Sequence, residues 1–335
     1  MNHSHDVHNG RLNILTIGGG TGQFALLSGL RDMKAIHITA VVSMMDSGGS
    51  TGRLRDELGI LPPGDVLKCV VALSPYQKFA RNILQKRFKK TDRLLQGHTA
   101  GNMLLTMLSR YTGSFPSGVD ALCEILDARG TILPVTTDQA TLVAELTDGM
   151  RIFGEQAIDL PRGTQREKIK DVFLVPHHSD AIHVHPPVVE AIAAADYILI
   201  GPGDLFTSII PNLIVPGVAQ AIQNSNAHLI YLLNIMTKYG ETHQFQAKDF
   251  LIRLEEYTGR RVDGVIYNQT PPSEEICRLY HAQKADFVVL DQTEDFWSRR
   301  KVYAADLLET DGNIVRHNST KLAALLQKVF FGDKE

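Results

Sequence analysis

Apolar positions along the chain switch between short runs and helical spacing. Leu12–Ile17 is a largely apolar run that ends in Gly18-Gly19-Gly20-Thr21-Gly22, and Phe24, Leu27 and Leu30 follow at helical spacing. That pattern predicts strand, tight loop and helix. Ile36–Val42 is rich in β-branched residues and predicts a second strand. A βαβ start of this kind implies a doubly wound, mostly parallel α/β sheet. From Pro62 to about Leu126 the pattern is helical, with Asp65 expected to cap Val66–Leu73 and Gly101-Asn102 to open Met103–Tyr111. Ile132–Val135, Thr141–Leu146 and Met150–Ile158 read as short strands, with a hairpin turn at Asp148-Gly149. They define a β-rich insertion, or small lobe, over 131–180, inside a nucleotide-binding core of 12–130 and 181–335. The α/β rhythm then resumes. Helices are expected at Pro187–Ala195, Pro216–Asn224, Ala247–Tyr257, Ser273–Gln283 and Lys321–Phe331, and strands at Tyr197–Ile200, His228–Leu233, Val262–Tyr267 and Phe287–Leu290.

Four loops of unusual composition fall at strand ends: 18–22, 46–52, 201–204 and 234–242. In doubly wound sheets ligands bind beyond the C-terminal ends of the strands. The first loop is four glycines in five residues. Its backbone can turn sharply, and the following helix aims free N–H groups at one spot, so a phosphate is its natural occupant. Gln23 stands where a dinucleotide fingerprint needs its third glycine, and GxxxxGK[ST] is absent, so neither NAD nor ATP is specified. In the second loop, Asp46 either meets a ribose hydroxyl or holds Mg²⁺ beside phosphates. Gly48, Gly49, Ser50, Gly52 and Arg53 surround it with donors. Gly201-Pro202-Gly203-Asp204 follows a buried-looking strand, and Asn234, Thr237, Lys238 and Glu241 can supply hydrogen bonds and one positive charge. His98 stands just before a helix N-terminus and is a candidate pocket residue. His177, His178, His183 and His185 with Asp180 do not form a familiar zinc spacing, and packing or an anion pocket suits them better.

Composition narrows the classes. Lys and Arg number 34 against 37 Asp and Glu, for a net charge of −3, which gives no general attraction to nucleic acid or anionic lipid. Aromatic residues (7%) form no basic–aromatic stripe, so neither nucleic acid nor membrane is expected as a partner. Cys69, Cys123 and Cys277 are odd in number and form no CxxC pair, as expected of reduced thiols in a cytoplasmic protein. The polar start 1–11, with His3, His5 and His8, reads as a disordered tail without a signal sequence.

The series IGGGTG, DSGGSTGRLR, PPGD, GHTAGN, ADYILIGPGDLFTSIIPNLIVPG and NIMTKYGET, in this order, resembles the bacterial gluconeogenesis factor family, related to 2-phospho-L-lactate transferase of deazaflavin cofactor synthesis. The resemblance spans about residues 12–330. It implies a Rossmann-like core with a smaller second lobe. It also implies nucleotide or phosphate contacts at Gly18, Gly19, Gly20, Thr21, Gly22, Gly48, Gly49, Ser50, Gly52, His98, Gly101, Asn102, Gly201, Pro202, Gly203 and Asn234. The transferase branch moves a phospholactyl group from a guanosine-diphosphate-linked donor to a deazaflavin with Mg²⁺. The gluconeogenesis factor branch is regarded as binding UDP-sugars and affecting cell shape, envelope synthesis and carbon metabolism. A homodimer and a protein partner in envelope synthesis belong to the same expectation. Ser47 stands where the family usually has a second acid, Asp204 where it usually has Ser, and Lys238-Tyr239 where Gln-Pro is common. Loss of the second acid favours a UDP-sugar-binding regulator over a metal-dependent transferase. If the protein is a transferase, Asp46 is its catalytic or Mg²⁺-holding residue.

Overall fold

The computed structural model describes residues 10–48, 50–52, 54, 60–89, 95–161, 166–178 and 180–332. The histidines of the expected tail, Gly49 and Arg53 lie outside the described residues. Seven strands form the central sheet: β1 (Leu12–Gly18), β2 (Ile36–Val42), β3 (Thr131–Pro134), β7 (Tyr197–Ile200), β8 (His228–Leu232), β9 (Gly264–Asn268) and β10 (Lys301–Ala305). Their order is β10-β9-β8-β7-β1-β2-β3, and every neighbouring pair is parallel. The middle strands are buried on both faces, which is why they read as apolar runs without alternation. The chain builds outward from β1 through β2 to β3, then returns to lay β7 on the other side of β1. The switch point therefore lies between β1 and β7, and the loops after these two strands open a crevice there.

Helices among the described residues accompany the sheet. They are α1 (Gly20–Leu30), α2 (Gly64–Leu73), α3 (Gln77–Leu84), α4 (Ala100–Thr112), α5 (Phe115–Ile125), α6 (Glu155–Asp159), α7 (Pro186–Ala194), α8 (Leu205–Leu213), α9 (Val218–Asn224), α10 (Ala247–Thr258), α11 (Glu274–Ala282) and α12 (Ser319–Phe331). The first turn of α8, Leu205–Ile209, is a wider π-type turn. No single helix among the described residues is long and apolar enough to cross a membrane.

Several expectations need correction. Asp65 is not the cap of α2 but lies in its first turn, after Pro63. Helix α4 begins at Ala100 and is capped by Thr99, whose hydroxyl accepts from the Asn102 N–H. The strand expected at Ile132–Val135 is the β3 edge of the central sheet, so antiparallel pairing begins only at β4 (Ala140–Leu146). There β5 (Arg151–Phe153) and β6 (Ile169–Pro176) flank β4. The run Met150–Ile158 is not one strand. Gly154, at φ 89°, breaks it, and α6 follows. Phe287–Leu290 joins no strand, and only Phe287 makes an isolated bridge, to Met236. The seventh strand comes from Lys301–Ala305, whose half-buried residues hide its pattern. A hairpin, β11 (Leu308–Asp311) with β12 (Ile314–His317), turns through Gly312 at φ 58°.

Candidate functional site

A cleft of about 970 Å³ opens at the switch point. Thr21 and Gly22 reach it from α1, Asp46 from the loop after β2, and Asp65 and Lys68 from α2. Pro202, Gly203 and Asp204 line it from the loop after β7, and Asn234 and Lys238 from the loop after β8. Glu155 and Asp159 of α6 close one side, and Arg316 and His317 of β12 another.

The glycine loop is shaped as much by packing as by a ligand. No side chain caps the N-terminus of α1, so its first-turn N–H groups are not taken by a cap. Yet a Cβ on Gly20 would stand 2.5 Å from the Asp65 carbonyl oxygen, and one on Gly22 only 1.8 Å from that of Pro202. These glycines let α1 approach α2 and the 201–204 loop backbone to backbone. A bulky residue at Gly20 would therefore disrupt packing before it reported on phosphate binding. Gly18 and Gly19 instead face side chains, those of Gln23 and Ser208. Gln23, which interrupts the dinucleotide fingerprint, is fully buried. Its amide oxygen accepts from the Thr16 hydroxyl and its amide nitrogen donates to the Val41 carbonyl, tying α1 to β1 and β2.

On this side of the cleft Lys68 Nζ donates to Thr21 Oγ1 at 2.8 Å and Asp65 Oδ1 at 2.9 Å. Burial pulls its pKa down, but the neighbouring Asp65 carboxylate outweighs that and holds it above the usual range. Asp46 Oδ1 accepts from the Gly48 N–H at 2.9 Å. Burial, and then the charge on Asp65, push its carboxyl up. Glu155 is pushed up to about 8 by burial, with Asp46 and Asp159 adding to it. Ser47, in place of a second acid, accepts from the Gln156 N–H at 3.0 Å and so fastens the loop to α6.

The third motif stands behind the second loop instead of in the cleft wall. Ser50 Oγ lies 3.0 Å from His98 Nδ1 and accepts from Asn102 Nδ2 at 2.9 Å, and all three residues are buried. A Cβ on Gly101 would press on Leu84, and one on Gly52 on the Ser47 carbonyl. Gly201 needs its φ of 82° for the turn after β7, where the Gly201–Pro202 peptide is cis. Asn234 clasps Gly203 from both sides, accepting from its N–H at 3.4 Å and donating to its carbonyl at 2.9 Å.

Opposite the glycine loop, Lys238 fills the centre of an acid group. Its ammonium bonds Asp159, Asp204 at 2.7 Å and Glu241 at 3.3 Å. Oxygens of these three acids lie within 4.8 Å of one another, the spacing of a metal site. Burial alone would lower the Lys238 pKa, but the three carboxylates outweigh it and keep the ammonium charged. Glu241 is buried and rises to about 7 through burial and the Asp204 charge, while it accepts from the Phe206 N–H and the Thr207 hydroxyl at the start of α8. Among the described residues, the histidines of 177–185 form no metal group. His183 pairs with Asp138, and His177 meets the Thr141 hydroxyl.

Sequence reasoning missed Lys68, Glu155 and Asp159 as cleft residues. Glu155 was hidden in a run read as a strand and Asp159 stands just past its end, whereas Lys68, one turn beyond Asp65 of PPGD, was within reach of a helical count. The β12 residues were also missed, although Asp311-Gly312 is a standard hairpin signal.

A doubly wound parallel sheet with a cleft at its switch point places the chain among Rossmann-like α/β proteins. The chain belongs to the 2-phospho-L-lactate transferase CofD family, whose model matches residues 14–308, and within it to the gluconeogenesis factor proteins. It is 37% identical to the gluconeogenesis factor of Bacillus subtilis, covering 93% of this chain and 96% of the relative. It is 38% identical to that of Halalkalibacterium halodurans, covering 93% and 94%. The fold matches the crystal structure of a Bacillus halodurans protein with a TM-score of 0.86 at 36% identity, covering 94% of this chain and 99% of that one.

Proposed function

We propose that the cleft binds a UDP-sugar and that the protein acts as a cytoplasmic regulator of carbon metabolism and cell-envelope synthesis, with little or no turnover. The observation that carries this reading is the polarity of the cleft. One wall offers the uncapped N-terminus of α1, Thr21 and Lys68, a seat for phosphates. Beside it stand the carboxyl groups of Asp46 and Glu155, whose oxygens accept hydrogen bonds from sugar hydroxyls. A volume of about 970 Å³ suits a ligand of that size. The relatives' name, gluconeogenesis factor, supports a role in carbon metabolism.

The transferase reading draws on the family description and on Asp46. Asp46, Asp65 and Glu155 are hard oxygen donors whose mutual repulsion a Mg²⁺ ion would relieve, although among the described residues the acids at metal spacing are Asp159, Asp204 and Glu241. Asp46 and Glu155 would hold it, and the ion would neutralise charge on a phosphate ester.

Calorimetric titration with UDP-N-acetylglucosamine, UDP and GDP, each with and without Mg²⁺, tests both readings. We expect UDP-N-acetylglucosamine to bind without metal, and Lys68→Ala to weaken it roughly tenfold or more, the worth of a charge-assisted contact. Absence of UDP-sugar binding overturns the regulator. Metal-dependent nucleotide release from a phospholactyl donor in the presence of a deazaflavin establishes the transferase.

A further inference from the structure

The net charge of −3 conceals a local run. Between Ser74 and Lys89 the chain carries Lys78, Arg81, Lys86, Arg87 and Lys89 and not one acidic residue. Here basic and aromatic residues do interleave, contrary to the reading of the whole chain. Helix α3 lies in this run and buries only Ala80 and Leu84. Tyr76, Phe79 and Ile83 are 59%, 66% and 46% exposed, and their spacing of three and four places them on one side. On the neighbouring α4, Met107 and Tyr111 are exposed at the same helical spacing, beside exposed Arg110. Single exposed apolar residues are ordinary, but five large ones on two packed helices, set among cations, mark an interaction surface.

We propose that the α3 face docks on an anionic lipid surface. Apolar and aromatic side chains among basic ones suit the headgroup boundary, where rings and aliphatic chains enter the acyl edge and ammonium groups meet lipid phosphates. A second copy of the chain fits poorly, because a two-fold interface would set this cationic run against itself. Single-stranded nucleic acid would use the cations and rings, but it leaves the aliphatic Ile83 and Met107 without a stacking partner. Arg81 and Gln85 of the same helix line the cleft. Docking therefore brings the cleft mouth close to the headgroups.

Flotation of the full chain with phosphatidylcholine vesicles, and with vesicles containing phosphatidylglycerol, tests this. Binding is expected only to the anionic vesicles and is expected to fade at high salt. Lys78→Glu with Lys86→Glu should lower the partition coefficient by at least roughly twenty-five-fold, about fivefold for each cation lost before the repulsion of the added acids, while Lys78→Arg with Lys86→Arg retains it. Phe79→Ser with Ile83→Ser should lower it by a further large factor. These side chains are exposed and outside the cleft, so cooperative unfolding and nucleotide titration should be unchanged. No binding of the wild type to anionic vesicles overturns the proposal, as does equal binding by the charge-reversed variant. So does loss of oligomerisation or of single-stranded RNA binding in these variants with lipid binding intact.

Discussion

The cleft holds two acid groups, and they are neutralised differently. Around Lys238, three carboxylates share an ammonium that the chain itself places at their centre. Beside Asp46 and Glu155, among the described residues, Lys68 sits to one side and divides its bonds between Asp65 and Thr21. The first group is satisfied from within and works as structure: it joins α6, the loop after β7 and the start of α8 at one point. In both groups burial first and neighbouring acids second raise a carboxyl, Glu241 to about 7 and Glu155 to about 8, but in the second the ammonium does not stand at the centre of the acids. Charge left over inside a cleft is where an incoming cation or a donor-rich ligand gains most. The contrast assigns binding to the Asp46 side and rigidity to the Lys238 side.

Removing the central ammonium breaks the comparison most severely. Lys238→Met leaves three facing carboxylates and should cost up to about 3–5 kcal/mol, the upper end applying to fully buried charges, since Asp159 and Asp204 keep partial exposure. Urea denaturation should show a larger loss at pH 8 than at pH 5, because protonation of Glu241 relieves the repulsion. Mg²⁺ should restore part of the stability of this variant, since the vacated oxygens have metal spacing. An unchanged midpoint would mean that Lys238 does not hold the acids together.

Glu155→Gln sharpens the contrast on the other side. The carboxyl has an unfolded value of 4.5 and a folded value of about 8, so the native state binds its proton more tightly. Its favourable contribution is complete below about pH 4.5 and disappears as pH rises towards 8. The variant should therefore match wild type near pH 5 and exceed it at pH 8, by on the order of 1–2 kcal/mol after allowance for solvent screening. Mg²⁺ should give wild type a similar gain at pH 8 and give Asp46→Asn none. If the two proteins lose stability in parallel between pH 5 and 8, Glu155 is not the strained group.

The sheet was legible because its central strands are buried on both faces, and apolar runs such as Leu12–Ile17 and Tyr197–Ile200 leave little choice of conformation. The edges were not. β10 is half-buried and carries Lys301 and Tyr303, while Val288 and Leu290 are buried without entering a strand. Burial and strand pairing part company there, and an apolar run reports only burial. The candidate site was legible as a set of strand-end loops but not in its internal division. A glycine that admits a ligand and one that admits a neighbouring carbonyl look alike in sequence. Only the positions of Asp65 and Pro202 separate them. Contacts between distant segments, such as Lys238 with Asp159, carry no local signal at all.

The smallest predicted effect concerns the residues behind the cleft. If Ser50, His98 and Asn102 serve to hold the 46–52 loop, and so Asp46, in place, their contributions must be coupled. Ser50→Ala removes the acceptor of Asn102 Nδ2 and the partner of His98 Nδ1, all of them buried, and should cost about 1–2 kcal/mol. Asn102→Ala should cost a similar amount, but the double variant should cost less than the sum, with a coupling of about 0.5–1 kcal/mol. Ligand affinity should follow the same non-additivity, because both changes act through one loop. Additive losses in stability, together with a loss of affinity confined to Asn102→Ala, would instead place Asn102 in direct contact with the ligand and dissolve the division between the cleft wall and its support.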